Sequence, residues 1–96
     1  MIRVYGIKNC PYCEFIKPQL DENYVYIDIG ESPKNLMEFL GLRDNDPAFV
    51  RCKQEEDLGV PCFLKEDGTV SLKPEDFGLI EYSGKSECSL ENKGHC

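Results

Sequence analysis

The sequence Cys10-Pro11-Tyr12-Cys13 lies between a short apolar strand pattern and a helical pattern. Residues three apart share one face of a helix, with Cβ atoms about 5 to 6 Å apart. That separation is close enough for a disulfide after a small adjustment of the backbone. The spacing therefore predicts reversible thiol–disulfide chemistry at a junction between a strand and a helix.

The first third of the chain predicts a βαβ unit. Residues 2–7 and 24–29 are rich in strand-forming residues, and they flank a helical pattern from Pro11 to about residue 22. A helix between two strands supplies a crossover connection, so the two strands are expected to be parallel.

The remainder predicts a helix, a hairpin and a final helix. Ser32 is suited to cap a helix that continues to Gly41, and a second helical piece is expected from Asp46. Residues 62–64 and 69–72 flank a turn and predict an antiparallel hairpin. A last short helix is expected from Pro74 to Glu81. The expected fold class is an α/β sandwich with a four-stranded mixed sheet, in one domain over residues 1–82.

Charge and hydropathy limit the partners. The formal net charge is −7 and the sequence pI is about 4.6, which opposes binding to a phosphate backbone. No apolar run reaches the roughly 18 residues of a membrane span, and the first residues do not have a signal-peptide pattern. We therefore expect a cytoplasmic monomer with no nucleic acid or membrane partner. Residues 83–96 are polar and predict a flexible tail.

Residues 1–82 resemble the glutaredoxins, a branch of the thioredoxin-fold superfamily. Cys-Pro-Tyr-Cys is the dithiol motif of that family, and Val60-Pro61 matches its second motif. The resemblance implies a thioredoxin-like fold and a glutathione-dependent oxidoreductase that serves electron transport and cell redox homeostasis. It implies glutathione as co-substrate, no tightly bound cofactor and no metal. The implied partners are glutathione and disulfide-containing or glutathionylated proteins.

The two cysteines have different expected roles. Cys10 precedes the first helical turn, where free N–H groups and the helix dipole favour its thiolate, so it is the expected nucleophile. Cys13 lies one turn into the helix, where solvent access is poorer, and is the expected resolving thiol. Pro11 suits the first helical position because it has no N–H to leave unpaired. Tyr12 places an aromatic edge beside Cys10.

Other site residues follow from the resemblance. Lys8 is expected to contact glutathione, and Val60 and Pro61 to face the cysteines, with main-chain hydrogen bonds from Val60 to a bound peptide or glutathione. Asp76 is expected to replace an acidic glutathione contact. Gly59 occupies a position where glutaredoxins usually have threonine, and we expect it to loosen the approach to Pro61.

Two alternative functions remain open. One is a protein dithiol donor that receives electrons from thioredoxin reductase. Such a donor needs the same cysteines, but the residues that form the walls of its substrate site would differ. The other is a binding module, either an iron–sulfur carrier or a metal site that joins Cys10 and Cys13 to tail residues. Cys52 and Cys62 are expected in the core, whereas Cys88 and Cys96 are expected to be more exposed.

Overall fold

The computed structural model describes residues 1–82, which contain three α-helices and four strands. The strands are β1 (Ile2–Gly6), β2 (Tyr24–Asp28), β3 (Cys62–Leu64) and β4 (Val70–Ser71), and the helices are α1 (Pro11–Ile16), α2 (Pro33–Asn45) and α3 (Val50–Gln54). Short 3₁₀ helices lie at Lys17–Gln19, Pro47–Phe49 and Pro74–Phe77. The expected flexible tail, residues 83–96, lies outside the described residues.

The four strands form one sheet in the order β2-β1-β3-β4. β1 pairs with β2 in parallel, whereas β3 pairs antiparallel with both β1 and β4. The predicted α/β class with a four-stranded mixed sheet is confirmed. β1 is one of the two inner strands, and the chain continues from it into α1. The Cys10–Cys13 segment therefore follows the carboxyl end of an inner strand.

Adjacent residues of β1 and β3 supply cores on opposite faces of the sheet, as the alternation of a strand requires. Val4 and Phe63 pack with Ile16 of α1 in one buried cluster. Tyr5 and Cys62 belong to the other, which also contains Ile29, Phe39, Phe49 and Cys52. Helices therefore cover both faces, and β1 and β3 are buried between them.

The caps of the second and third helical segments follow the sequence. Ser32 Oγ accepts a hydrogen bond from the N–H of Asn35 at 3.2 Å, and Asp46 Oδ1 accepts one from the N–H of Ala48 at 2.9 Å. Both side chains satisfy donors that a helix start leaves unpaired. The second helix runs to Asn45 and not only to Gly41, and it ends where the N–H of Asp46 donates to the carbonyl of Leu42 at 2.9 Å.

Two predicted helices are shorter than expected. The α-helical part of the first ends at Ile16, and a 3₁₀ turn contains Pro18, whose ring and missing N–H interrupt helical hydrogen bonding. The predicted helix from Pro74 to Glu81 is wrong, since only Pro74–Phe77 is helical and Gly78 ends it with φ +76°.

The segment after Gly78 is not helical, and a distant side chain satisfies part of its backbone. Gln19 Nε2 donates to the carbonyl oxygen of Ile80 at 2.9 Å, and the N–H of Ile80 donates to Gln19 Oε1 at 2.8 Å. This paired contact replaces helical hydrogen bonds and holds the segment beside α1. No helix within residues 1–82 has the length and apolar character needed to cross a bilayer.

Candidate active site

Cys10 occupies the N-cap of α1. Its backbone is extended, with φ −98° and ψ 116°, and Pro11 takes the first helical position. Its Sγ accepts a hydrogen bond from the N–H of Cys13 at 3.3 Å. The thiol of Cys10 is free and half-buried. A sulfur at this point has a donor for negative charge and retains access to solvent, as a nucleophile requires.

Cys13 lies on the same turn but is fully buried. Burial, and after it the hydrogen bond of that thiol to Cys10, raise the pKa of the Cys13 thiol to about 12. Cys13 is therefore a protonated thiol at neutral pH. The structure thus brings together two free cysteines of unequal exposure, as the sequence predicts for the pair.

The loop before β3 contains Val60 and Pro61, whose peptide bond is cis, and both residues line a groove together with Tyr12 and Ile16 of α1. Arg43 of α2 fixes this loop, because its Nε donates to the carbonyl of Leu58 at 2.9 Å and its Nη2 to that of Asp57 at 2.8 Å. The main chain of Val60 makes no hydrogen bond to any residue in the 1–82 range. A main-chain donor and acceptor therefore remain available at the start of β3.

Gly59 does not loosen this loop. It is buried with φ +95°, and a Cβ placed on it would lie 2.9 Å from two ring carbons of Phe49 and 3.1 Å from Cys52 Sγ. The expectation of a looser approach to Pro61 is therefore wrong. The space that a side chain at residue 59 would need is filled by the Phe49 ring.

A groove of about 590 Å³ runs beside the loop and α1. Its uncharged lining consists of Tyr12, Ile16, Gly59, Val60, Pro61, Leu72, Pro74 and Tyr82, and its charged lining consists of Glu55, Glu56, Asp57 and Glu81. The rings of Tyr12 and Tyr82 meet edge to face, with centroids 5.3 Å apart. Tyr12, which lies between the two cysteines of the motif, is thus part of the groove wall.

The acidic side of the groove follows the end of α3. The N–H of Glu56 donates to the carbonyl of Lys53 at 3.2 Å, and that of Asp57 donates to the carbonyl of Cys52 at 2.8 Å. These two bonds form a Schellman motif, in which glycine is the usual residue at the left-handed position. Here that position is Glu56, with φ +58°. The motif turns the chain from α3 toward Gly59.

The sequence-predicted residues divide into two groups. Tyr12, Val60 and Pro61 line the groove, whereas Lys8 and Asp76 do not. Lys8 is exposed in the connection between β1 and α1. Asp76 Oδ2 accepts a hydrogen bond from the hydroxyl of Ser71 at 2.7 Å, so it stabilises the turn after β4. Neither of these two is brought to the groove.

Sequence reasoning missed three features of the groove: Tyr82, the loop clamp from Arg43 and the carboxylates of residues 55–57 and 81. The run Glu55-Glu56-Asp57 was visible, but it is also typical of a solvated helix end. Nothing local in the sequence indicates that Glu81 lies on the same groove, because the contact of Ile80 with Gln19 brings that segment there.

The remaining described cysteines are structural. Cys62 is fully buried, and burial raises the pKa of its thiol to about 12. Cys52 is also in the core, and its thiol donates to the carbonyl of Phe49 at 3.3 Å. The predicted core positions of both are confirmed. Within residues 1–82, no three His, Cys, Asp or Glu side chains are grouped to hold a metal ion. Cys88 and Cys96 lie outside the described residues.

No family model, curated protein or solved structure matches this chain.

Because the thiols of Cys13 and Cys62 are buried, the folded protein should become less stable as the pH rises above 9. Their folded-state pKa values of about 12 exceed the ordinary thiol value of 9.0, so above pH 9 the unfolded chain releases protons that the folded chain retains. The contribution of these thiols to the free energy of unfolding is therefore fully present below pH 9. Above pH 9 the free energy of unfolding should fall, by up to about 1.4 kcal/mol per pH unit for each thiol.

Urea unfolding of the reduced protein between pH 8 and about 10 measures this slope, mostly below the titration of ordinary tyrosines. The Cys13→Ala and Cys62→Ala variants should each lose a substantial part of it, whatever their stability at pH 8. The thiol of Cys52, whose pKa is also raised by burial, supplies part of the slope that remains. If the slope were unchanged in both variants, the raised pKa values of the Cys13 and Cys62 thiols would be contradicted.

Proposed function

We propose that the protein is a thiol–disulfide oxidoreductase of the glutaredoxin type, with a thioredoxin-like fold, Cys10 as nucleophile and Cys13 as resolving thiol. The observation that carries this proposal is the pairing of a half-buried N-cap thiol with a fully buried thiol one turn away. The N–H of Cys13 donates to Cys10 Sγ. The groove and the unpaired main chain of Val60 support a substrate site beside this pair.

In the first step the Cys10 thiolate attacks one sulfur of a substrate disulfide. A bond forms between Cys10 Sγ and that sulfur, the substrate S–S bond breaks, and the other substrate sulfur leaves as a thiolate that takes a proton from water. The hydrogen bond from the Cys13 N–H and the start of α1 favour the reactive form of Cys10.

In the second step Cys13 loses its proton and attacks Cys10 Sγ. A Cys10–Cys13 disulfide forms, and the bound substrate sulfur leaves and is protonated. Once Cys10 is in a mixed disulfide, it no longer carries the negative charge that helps to hold the Cys13 proton. The substrate has then gained two electrons and two protons, and the cysteine pair has lost them.

Glutathione is the proposed reductant, as the resemblance to glutaredoxins implies. Two glutathione molecules exchange in sequence with the Cys10–Cys13 disulfide, which returns to two thiols while oxidised glutathione forms. Each exchange conserves electrons and needs no bound cofactor. The proposed setting is a reducing compartment such as the cytoplasm.

A second candidate is a protein dithiol donor that is reduced by thioredoxin reductase. One observation favours it: no Lys or Arg of residues 1–82 lines the groove, whereas the carboxylates of a bound glutathione would need donors or cations there. The cysteine chemistry would be the same, and only the source of electrons would differ.

The test supplies the protein with the mixed disulfide of glutathione and 2-mercaptoethanol. One reaction contains glutathione, glutathione reductase and NADPH, and the other contains thioredoxin reductase and NADPH. We expect catalysed NADPH consumption in the first reaction, and a covalent adduct on Cys10 when Cys13→Ser is used and analysed by mass spectrometry. Turnover only in the second reaction would favour the protein-donor function. No turnover and no adduct would overturn both.

A further inference from the structure

The groove beside Cys10 has an uncompensated negative charge. Among its carboxylates, only Glu55 has an ion pair, with Arg51 Nε at 3.0 Å. The carboxylates of Glu56, Asp57 and Glu81 form no ion pair with a Lys or Arg of residues 1–82. Arg43 Nη2 donates only to the main-chain carbonyl of Asp57. Since all three are exposed, their charges cost little to maintain in water but remain available to a ligand.

These carboxylates come from two separate parts of the chain and act on the same ring. Residues 56 and 57 follow α3. Glu81 follows Ile80, whose N–H donates to the side chain of Gln19. The pKa of the Tyr12 phenol is raised first by burial and then by nearby acidic groups, among them the carboxylates of Asp57 and Glu81. The field of both acidic segments therefore reaches the residue two positions after the nucleophile.

We propose that the groove binds a polypeptide that carries Lys or Arg beside its disulfide, and that this basic segment is the substrate class that the dithiol reduces. The proposal rests on the proposed oxidoreductase function and specifies its substrate. Charge complementarity is its basis, because three carboxylates without an ion pair line a groove to which the described residues contribute no Lys or Arg.

The walls fit a peptide better than a small cation. The main chain of Val60 has an unpaired donor and acceptor, which an extended peptide can pair with as an added strand does. Tyr12 and Tyr82 offer aromatic surface to the alkyl stems and charged heads of Lys and Arg. The redox step is the one described above: the peptide disulfide gains two electrons and two protons, and Cys10 and Cys13 become a disulfide.

The test measures the second-order rate constant for reduction of synthetic peptides by the prereduced protein. Each peptide has one cysteine in a mixed disulfide with 2-mercaptoethanol, and the residues on both sides of that cysteine are Lys, Gln or Glu. We expect the Lys peptide to react about tenfold or more faster than the Glu peptide at low salt, with the Gln peptide between them. At high salt the difference should largely disappear.

Two matched variants locate the effect. Glu56→Gln/Asp57→Asn/Glu81→Gln removes the groove charges, and Glu22→Gln/Glu31→Gln/Asp44→Asn removes the same number of exposed charges elsewhere. Both change the net charge equally, so general steering by the whole protein changes equally in both. The Lys preference should fall to near unity in the groove variant and persist in the control variant.

Bis(2-hydroxyethyl) disulfide, which is small and neutral, separates this proposal from the proposed function. If the wild-type protein reduces it but shows no Lys preference, the basic-substrate proposal is overturned and the oxidoreductase function stands. An equal loss of Lys preference in both variants also overturns it, because whole-protein charge would then be the cause. If the neutral disulfide is not reduced at all, the proposed function itself fails.

Discussion

Replacing Cys10 with serine is expected to reduce disulfide reduction to the uncatalysed rate. A serine hydroxyl is not ionised at neutral pH and cannot form the mixed disulfide, so the first step is lost and not merely slowed. No other described thiol can substitute, because Cys13, Cys52 and Cys62 are all buried. The measurement is NADPH consumption in the glutathione-coupled assay.

Cys13→Ser is the matched control for this variant. It makes the same atomic change on the same helical turn but leaves the nucleophile intact. It should still form the mixed disulfide at Cys10, and a second glutathione can release it, so reduction of glutathione mixed disulfides should persist. Activity in Cys10→Ser, or equal loss in both variants, would contradict the assigned roles.

Replacing Gly59 with threonine, the residue that glutaredoxins usually have there, is expected to destabilise the fold by about 2 to 5 kcal/mol. A left-handed backbone costs a residue with a Cβ roughly 1 to 2 kcal/mol, and forcing atoms into a filled core costs about 1 to 3 kcal/mol more. Here the filled space is occupied by the Phe49 ring, 2.9 Å from the position of the new Cβ. Urea unfolding measures the loss.

Gly68→Ala separates the two contributions. Gly68 has φ +91°, similar to the +95° of Gly59, but no atom lies within 4 Å of its Cβ position. Its substitution should show the backbone cost alone, about 1 to 2 kcal/mol, whereas Gly59→Ala should cost more. Equal losses at the two glycines would mean that Phe49 moves away without cost. The Phe49 contact would then not be what requires glycine at this position.

Features set by neighbouring residues could be predicted from the sequence. The caps at Ser32 and Asp46 depend on side chains that bond to backbone groups two or three residues away. The position of Cys10 before α1 depends on Pro11, which is suited to a helix start. The order of strands and helices follows from apolar periodicity, and this level of the fold is what the structure confirms.

Features set by distant contacts could not be predicted. The residues after Gly78 are compatible with a helix. However, the Gln19 side chain forms two hydrogen bonds with the backbone of Ile80, and these take the place of helical hydrogen bonds. That contact also brings Glu81 to the groove, so this part of the groove's acidic lining could not be predicted from the local sequence either. Likewise, Gly59 was interpreted from its small size alone, because the sequence does not reveal that Phe49 fills the space beside it.

Glu56 has a consequence for protein engineering. At a left-handed position that closes a helix, a search for greater thermal stability would select glycine, which accepts φ +58° without the cost of a Cβ. The same change would delete one of the three unpaired carboxylates of the groove. Optimising this domain for heat resistance would therefore alter which molecules it attracts, unless residue 56 were excluded from the design.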